Sequence, residues 1–252
     1  MRRALVFDCD GVLADTERDG HLVAFNRLFT EVGLPVSWDD ATYQRLLTVG
    51  GGKERLRAYF TPERAHQLGL PSEESELKAL LAQWHRRKSE FFTELVGDGS
   101  VPTRPGVRRL IGDALAAGWR VAVASTSAQS SVQAVLEHAV GAGLAGDVAV
   151  FAGDIVPAKK PAPDIYQLAV DRLRVEASRV FVVEDSAVGL AAARAAGLRA
   201  VITPSTYTME DDFSAAVAVV SNLGEPDRPA TVFRDDLGVA PDGFVTVEGL
   251  TQ

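Results

Sequence analysis

Four-residue apolar runs recur along the chain, each followed by polar residues. Ala4-Leu5-Val6-Phe7 stands between Arg2-Arg3 and Asp8. A short stretch that is apolar on both faces suits a strand buried on both sides, as in a parallel sheet. Comparable runs are Val121–Ala124, Val148–Phe151, Val180–Val183 and Ala200–Ile202. Helical periodicity fills several of the gaps. Leu110, Ile111, Ala114 and Leu115 share one helical face before Gly118, and Leu168, Ala169, Arg172 and Leu173 share another. The Ala-rich stretch 190–196 stops at Gly197, a residue suited to a helix C-terminus. This alternation predicts an α/β fold, a Rossmann-like parallel sheet flanked by helices. One more strand is expected at Ala216–Val220, followed by a polar, proline-containing tail to which the pattern assigns no structure.

Residues 16–96 read differently. They hold no comparable strand run but offer helical segments at 21–32, 40–48, 53–60, 62–68 and 73–95, punctuated by Pro35, Gly50–Gly52 and Pro71. The expected organisation is a discontinuous core, residues 1–15 and 97–252, and a small helical domain at 16–96, with hinges near Asp15-Thr16 and Gly97–Gly99.

Composition narrows the function. The net charge is −8, which argues against general nucleic-acid binding, where a basic surface must displace counterions. Hydrophobic residues make up 46% and charged residues 24% of the chain, proportions of a folded globular protein. The one cysteine, Cys9, forms no internal disulfide, which suits a reducing compartment. No apolar run reaches the roughly 18–20 residues of a membrane span. A cytoplasmic location is expected, with no membrane and no nucleic-acid partner, and with a monomer favoured.

Four polar clusters follow the predicted strands. In Asp8-Cys9-Asp10-Gly11, two carboxylates leave the end of a buried strand and Gly11 permits a tight turn. Ligands of open parallel sheets bind at the carboxyl ends of strands. Acids there can hold a hard cation such as Mg²⁺, one can attack phosphorus, or the motif can simply form a turn. Ser125-Thr126-Ser127 can cradle a phosphate or cap a helix. Lys160, in Lys159-Lys160-Pro161-Ala162-Pro163, can set a fixed positive charge on a phosphoryl oxygen or belong to a solvated basic turn. Glu184-Asp185-Ser186 can complete a metal shell or be surface acid plus helix cap. In the helical block, Gly50–Gly52 opens a helix carrying Lys53, Glu54 and Arg55, where free amides and a guanidinium fork can meet an anion. His85-Arg86-Arg87-Lys88 adds basic residues, of which Lys88 is the favoured ligand contact.

Together these motifs, in this order, resemble the haloacid dehalogenase superfamily of phosphotransferases over about residues 1–220. The resemblance implies a Rossmann-like core with a helical cap at 16–96. It assigns Asp8 as nucleophile and Asp10 as general acid–base. It places Mg²⁺ on Asp8, the Asp10 carbonyl and Asp185 with Glu184 nearby, and sets Lys160, Ser125 and Thr126 on the phosphoryl oxygens. The stretch Asp8–Glu17, Gly50–Arg55, His85–Lys88 and Phe151–Tyr166 is similar to CbbY proteins, above all the plant type. That similarity implies a phosphatase removing the C1 phosphate of xylulose-1,5-bisphosphate, a Rubisco inhibitor. Glu17, Gly51, Gly52, Lys53, Glu54, Arg55 and Lys88 would contact this sugar phosphate, with Ser127 and Gln129 near it. It also implies a bacterial protein or a mature plastid form without its transit peptide. A β-phosphoglucomutase-like phosphomutase, or a phosphatase of another small metabolite, shares the motif set. Dehalogenase chemistry leaves Asp10 and Glu184-Asp185 without a task, Schiff-base phosphonate hydrolysis does not match Asp10, and a non-catalytic binding module does not need the complete motif set.

Overall fold

The computed structural model describes residues 2–251. The chain forms two compact units: Met1–Thr16 with Val101–Gln252, and Glu17–Ser100. The chain opens on β1 (Ala4–Phe7), all four residues of which are buried.

The unit Glu17–Ser100 is helical, with no strand among its described residues. A π-helical turn, Glu17–Leu22, leads into α1 (Val23–Glu31), so the helix expected at 21–32 begins earlier and with a wider first turn. Then come α2 (Asp40–Leu47), α3 (Gly52–Tyr59), α4 (Pro62–Gln67) and α5 (Glu74–Gly97). Side chains cap three of these starts, satisfying amides that have no partner within the helix: Asp39 for α2, Thr61 for α4 and Glu73 for α5. The interior is aromatic. Phe25, Phe29, Trp38 and Phe60 are buried and pack edge-on or tilted at ring separations of 4.7–5.7 Å. Asn26 fixes the Trp38 backbone from both sides, at 2.8 Å to its carbonyl and 2.7 Å from its amide.

The other unit resumes with α6 (Val107–Ala116), β2 (Arg120–Ser125), α7 (Gln129–Val140), α8 (Ala142–Ala145), β3 (Ala149–Ala152) and α9 (Asp164–Leu173). It continues with β4 (Val180–Glu184), α10 (Ala187–Ala195), β5 (Arg199–Ile202), β6 (Ala218–Val220) and β7 (Val232–Asp235). The strands form one sheet in the order β3-β2-β1-β4-β5-β6-β7, parallel through β6, with β7 antiparallel at the edge. This is the expected α/β architecture, with β1 central between β2 and β4. Phe7 lies opposite both Val123 and Val183, so the chain after β1 leaves the sheet level with Ala124 and Glu184, one residue before Ser125.

Helix α7, with its buried face of Val132, Val135, Leu136 and Ala139, is additional to the elements expected from the sequence. So is the folding of the tail. Its apolar residues lack a regular period, and long-range bonds decide their place. The Asp235 carboxylate accepts from the amides of Val239 and Ala240 at 2.9 Å, Val245 N donates to Leu223 O at 2.9 Å, and Arg3 Nη2 reaches Thr251 O at 2.9 Å. Val239, Val245 and Leu250 are thereby fully buried. Arg104 draws together the end of β6 and the loop after β5: its Nη2 donates to the carbonyls of Thr203, Pro204 and Ser221 at 2.8–3.1 Å. No helix among the described residues is long and apolar enough to cross a membrane.

Leu250→Ala removes a fully buried side chain, so it should lower stability by about 2–4 kcal/mol. Urea unfolding reads this out, and a change below about 0.5 kcal/mol, the size of a surface substitution, would place the tail outside the core.

Candidate functional site

At the end of β1 the Asp8 amide still bonds Val183 O at 2.9 Å, which fixes where its side chain emerges. The chain then turns at Gly11, whose φ is +76°. A β-carbon on Gly11 would lie 2.3 Å from Asp185 Oδ2, so glycine is required by space as well as by conformation. Lys160, from the loop between β3 and α9, meets this strand end. Its Nζ lies 2.5 Å from Asp8 Oδ1, 2.7 Å from Glu184 Oε1 and 3.1 Å from Ala124 O. Tyr166, in the first turn of α9, donates to Glu184 Oε1 at 2.6 Å. The other Glu184 oxygen accepts from the Asp185 amide at 3.0 Å. Gly189 makes room for this carboxylate, since a β-carbon there would overlap it.

The electrostatics follow from burial. Desolvation pushes Asp8 up to about 7, with Glu184 and Asp10 adding to the rise and Lys160 opposing it. Burial works against the Lys160 ammonium, but Asp8 and Glu184 outweigh it and hold the group well above the ordinary lysine value. Burial and the Glu184 charge together raise the Tyr166 phenol, which keeps it a donor.

Asp10 is held on both oxygens. Thr16 Oγ1 donates to Oδ1 at 2.7 Å, and Ser127 Oγ donates to Oδ2 at 2.5 Å. Ser125, buried at the end of β2, accepts from the Ser127 amide at 3.1 Å. Thr126 is half-buried beside it, and Gln129 is exposed at the start of α7. Carboxylate oxygens of Asp8, Glu184 and Asp185 lie within 4.8 Å of one another. Such an all-oxygen acidic set fits a divalent hard cation. The Asp10 carboxylate is not part of that group.

The residues singled out in the helical unit fall into two places. Gly51 has φ +98°, and Gly52 opens α3 where a β-carbon would lie 2.6 Å from His85 Nε2. Lys53 and Glu54 are half-buried on the first turn. Arg55 lies against Glu17 at 3.4 Å through each of two nitrogens, and its Nε donates to Val49 O at 3.1 Å. Lys88, on α5, is buried, its Nζ 2.6 Å from His21 Nδ1 and over the Phe25 and Phe92 rings, and Phe25 also borders Gly52. Arg87 pairs with Glu31 and Glu90, as a solvated face does.

Four residues join these groups without having been singled out as site residues: Thr16, Tyr166, Tyr43 and His21. Thr16 and Tyr166 lie within or at the edge of the motif segments, so the signal was present. Tyr43 and His21 meet their partners across 26 and 67 residues, a distance no local pattern covers.

Comparisons with known proteins give the family. The family profile for haloacid dehalogenase-like hydrolases matches residues 2–197. A CBBY-like protein of Arabidopsis thaliana is 48% identical over 227 residues, 88% of this chain and 70% of that one. The plasmid CbbY protein of Cupriavidus necator is 43% identical over 90% of this chain and 88% of its own. The crystal structure of a mutant CbbY from Rhodobacter sphaeroides, in complex with xylulose-(1,5)bisphosphate, superposes with a TM-score of 0.77 at 40% identity. That match covers 88% of this chain and 95% of the other. A parallel sheet whose interior strand β1 ends in a buried acid, read beside these relatives, makes the chain a phosphatase of the haloacid dehalogenase-like hydrolase family, belonging to its CbbY group.

Proposed function

We propose that the enzyme hydrolyses xylulose-1,5-bisphosphate, with Mg²⁺ as cofactor and Asp8 as nucleophile. The observation that carries this reading is the buried Asp8 at the end of the interior strand β1, facing Lys160 at 2.5 Å and clustered with Asp185 and Glu184. The CbbY crystallised with that sugar bisphosphate supports the choice of substrate.

Asp8 attacks phosphorus and takes the phosphoryl group, and the bond to the sugar oxygen breaks. Asp10, steadied by Thr16 and Ser127, gives its proton to the departing oxygen and later takes one from the attacking water. Lys160 supplies fixed positive charge to the oxygens where negative charge grows, aided by Ser125 and Thr126. Its position comes from Glu184, itself fixed by Tyr166. Asp8, Asp185 and the Asp10 carbonyl, with Glu184 nearby, would hold Mg²⁺, which would supply charge screening between the anionic nucleophile and the anionic phosphate. Glu17, Gly51 to Arg55 and Lys88, with Ser127 and Gln129, contact the rest of the sugar phosphate.

Phosphate release with Mg²⁺ across xylulose-1,5-bisphosphate, ribulose-1,5-bisphosphate, phosphoglycolate and β-glucose-1-phosphate tests the substrate. The expected result is a kcat/KM about a hundredfold higher for the first, roughly 2.7 kcal/mol of discrimination. Equal, low values on all four would remove the substrate assignment. Asp8→Asn keeps the volume and an acceptor for Lys160 but not the nucleophile. Its melting temperature should stay near wild type while kcat falls by at least about a thousandfold; wild-type-like turnover would refute the role of Asp8. Mg²⁺ at about a hundred times its Kd should raise the melting temperature by roughly 5–10 °C. Asp185→Asn should lose most of that shift, and an undiminished shift would put the cation elsewhere.

A further inference from the structure

The geometry points to Tyr43 as a positioning residue that keeps Arg55 available to a second anionic group of the substrate. This rests on the reading that Glu17 and Arg55 contact the sugar bisphosphate. Tyr43 belongs to α2, is fully buried, and packs beside the Phe25 and Trp38 rings at 6.2 and 6.1 Å. Its hydroxyl donates to Glu17 Oε2 and accepts from Arg55 Nη1, the latter at 3.1 Å. One phenol oxygen thus separates an acid from a base that would otherwise close on each other.

The distances show the effect. Arg55 and Glu17 are each only 12% exposed, an environment that favours a tight charge pair. Both their contacts are nonetheless 3.4 Å, beyond the roughly 2.7–2.9 Å usual for such bonds. The exposed pair Arg87–Glu31 reaches 2.6 and 2.7 Å. Arg55 is meanwhile anchored through Nε to Val49 O, which fixes the plane of the guanidinium without using its outer nitrogens. Those nitrogens face Glu17 at lengths longer than a tight charge pair, and Nη1 also donates to the Tyr43 hydroxyl. A dianionic phosphate can replace the carboxylate there, and Glu17, kept in place by the phenol, remains an acceptor for a sugar hydroxyl. Without the hydroxyl, Glu17 and Arg55 would close into a two-point ion pair that a phosphate must first break. The selection is for substrates bearing a second anionic group.

Tyr43→Phe removes one oxygen and keeps the packing, so a circular-dichroism melt should match wild type. Steady-state kinetics then compare the best sugar bisphosphate of the panel with an aryl phosphate. The expected result is a KM about tenfold higher for the bisphosphate, the size of losing one bond to a charged group, with kcat and the aryl phosphate KM within about twofold. In Glu17→Gln, where no carboxylate remains to capture Arg55, adding Tyr43→Phe should change KM less than about twofold. Equal KM increases for both substrates, no increase, or a full tenfold effect in the Glu17→Gln background would each overturn the inference. Arg55→Ala separates this from failure of the underlying reading. If Arg55→Ala discriminates and Tyr43→Phe does not, the positioning role alone falls. If Arg55→Ala affects both substrates equally, contact with a second anion falls, and the role of Tyr43 with it.

Discussion

A buried charge balance governs the site. Asp8 and Glu184 are two carboxylates sunk at the ends of neighbouring strands, and a single ammonium, Lys160, bonds to both. Removing Lys160 would leave two uncompensated buried acids, a change of several kcal/mol, whereas neutralising Asp8 leaves the ammonium paired with Glu184. The surroundings are built to hold it: Tyr166 on one Glu184 oxygen, the Asp185 amide on the other, and Gly189 clearing the space. Two acids and one base still leave an excess of negative charge, which Asp185 enlarges. Burial pushes Asp8 up, with Glu184 and Asp10 adding to the rise, and the excess favours a cation beside it. Stability and chemistry therefore draw on the same few side chains.

The sheet explains why these groups meet. Parallel strands buried on both faces are written as short apolar runs, and the next polar residue is where the chain leaves the core. Asp8 and Glu184 occupy that position level with each other on adjacent strands, and Ser125 ends the strand on the other side one residue further on. This is why the strands and their polar ends were legible from hydrophobic pattern alone. Lys160 was legible as a motif residue, while its distance from Asp8 and Glu184 depends on the loop after β3. Tyr166 and Thr16 lay at motif edges but needed coordinates to show what they touch. The tail was illegible for a different reason: Val239, Val245 and Leu250 follow no period, and bonds from Asp235, Leu223 and Arg3 set their burial.

The helical unit shows how far motif reasoning reaches. Gly51, Gly52 and Arg55 stand together at the start of α3, as the glycine run suggests. Glu17 comes to Arg55 from 38 residues away, and Tyr43 joins them from a separate helix. Lys88 stands in the same segment as Arg86 and Arg87, yet it is buried against His21 while Arg87 bonds with surface acids. Adjacent basic residues on one helix point to different surroundings, and only packing distinguishes them.

The central claim is that Asp8 takes the phosphoryl group. Rapid quenching of the enzyme with a turned-over sugar phosphate, followed by borohydride reduction and peptide mass spectrometry, tests it most directly. The account predicts that reduction converts residue 8 to homoserine only when substrate and Mg²⁺ are both present. An unmodified Asp8 in a reacting enzyme, with label on another residue, would contradict it.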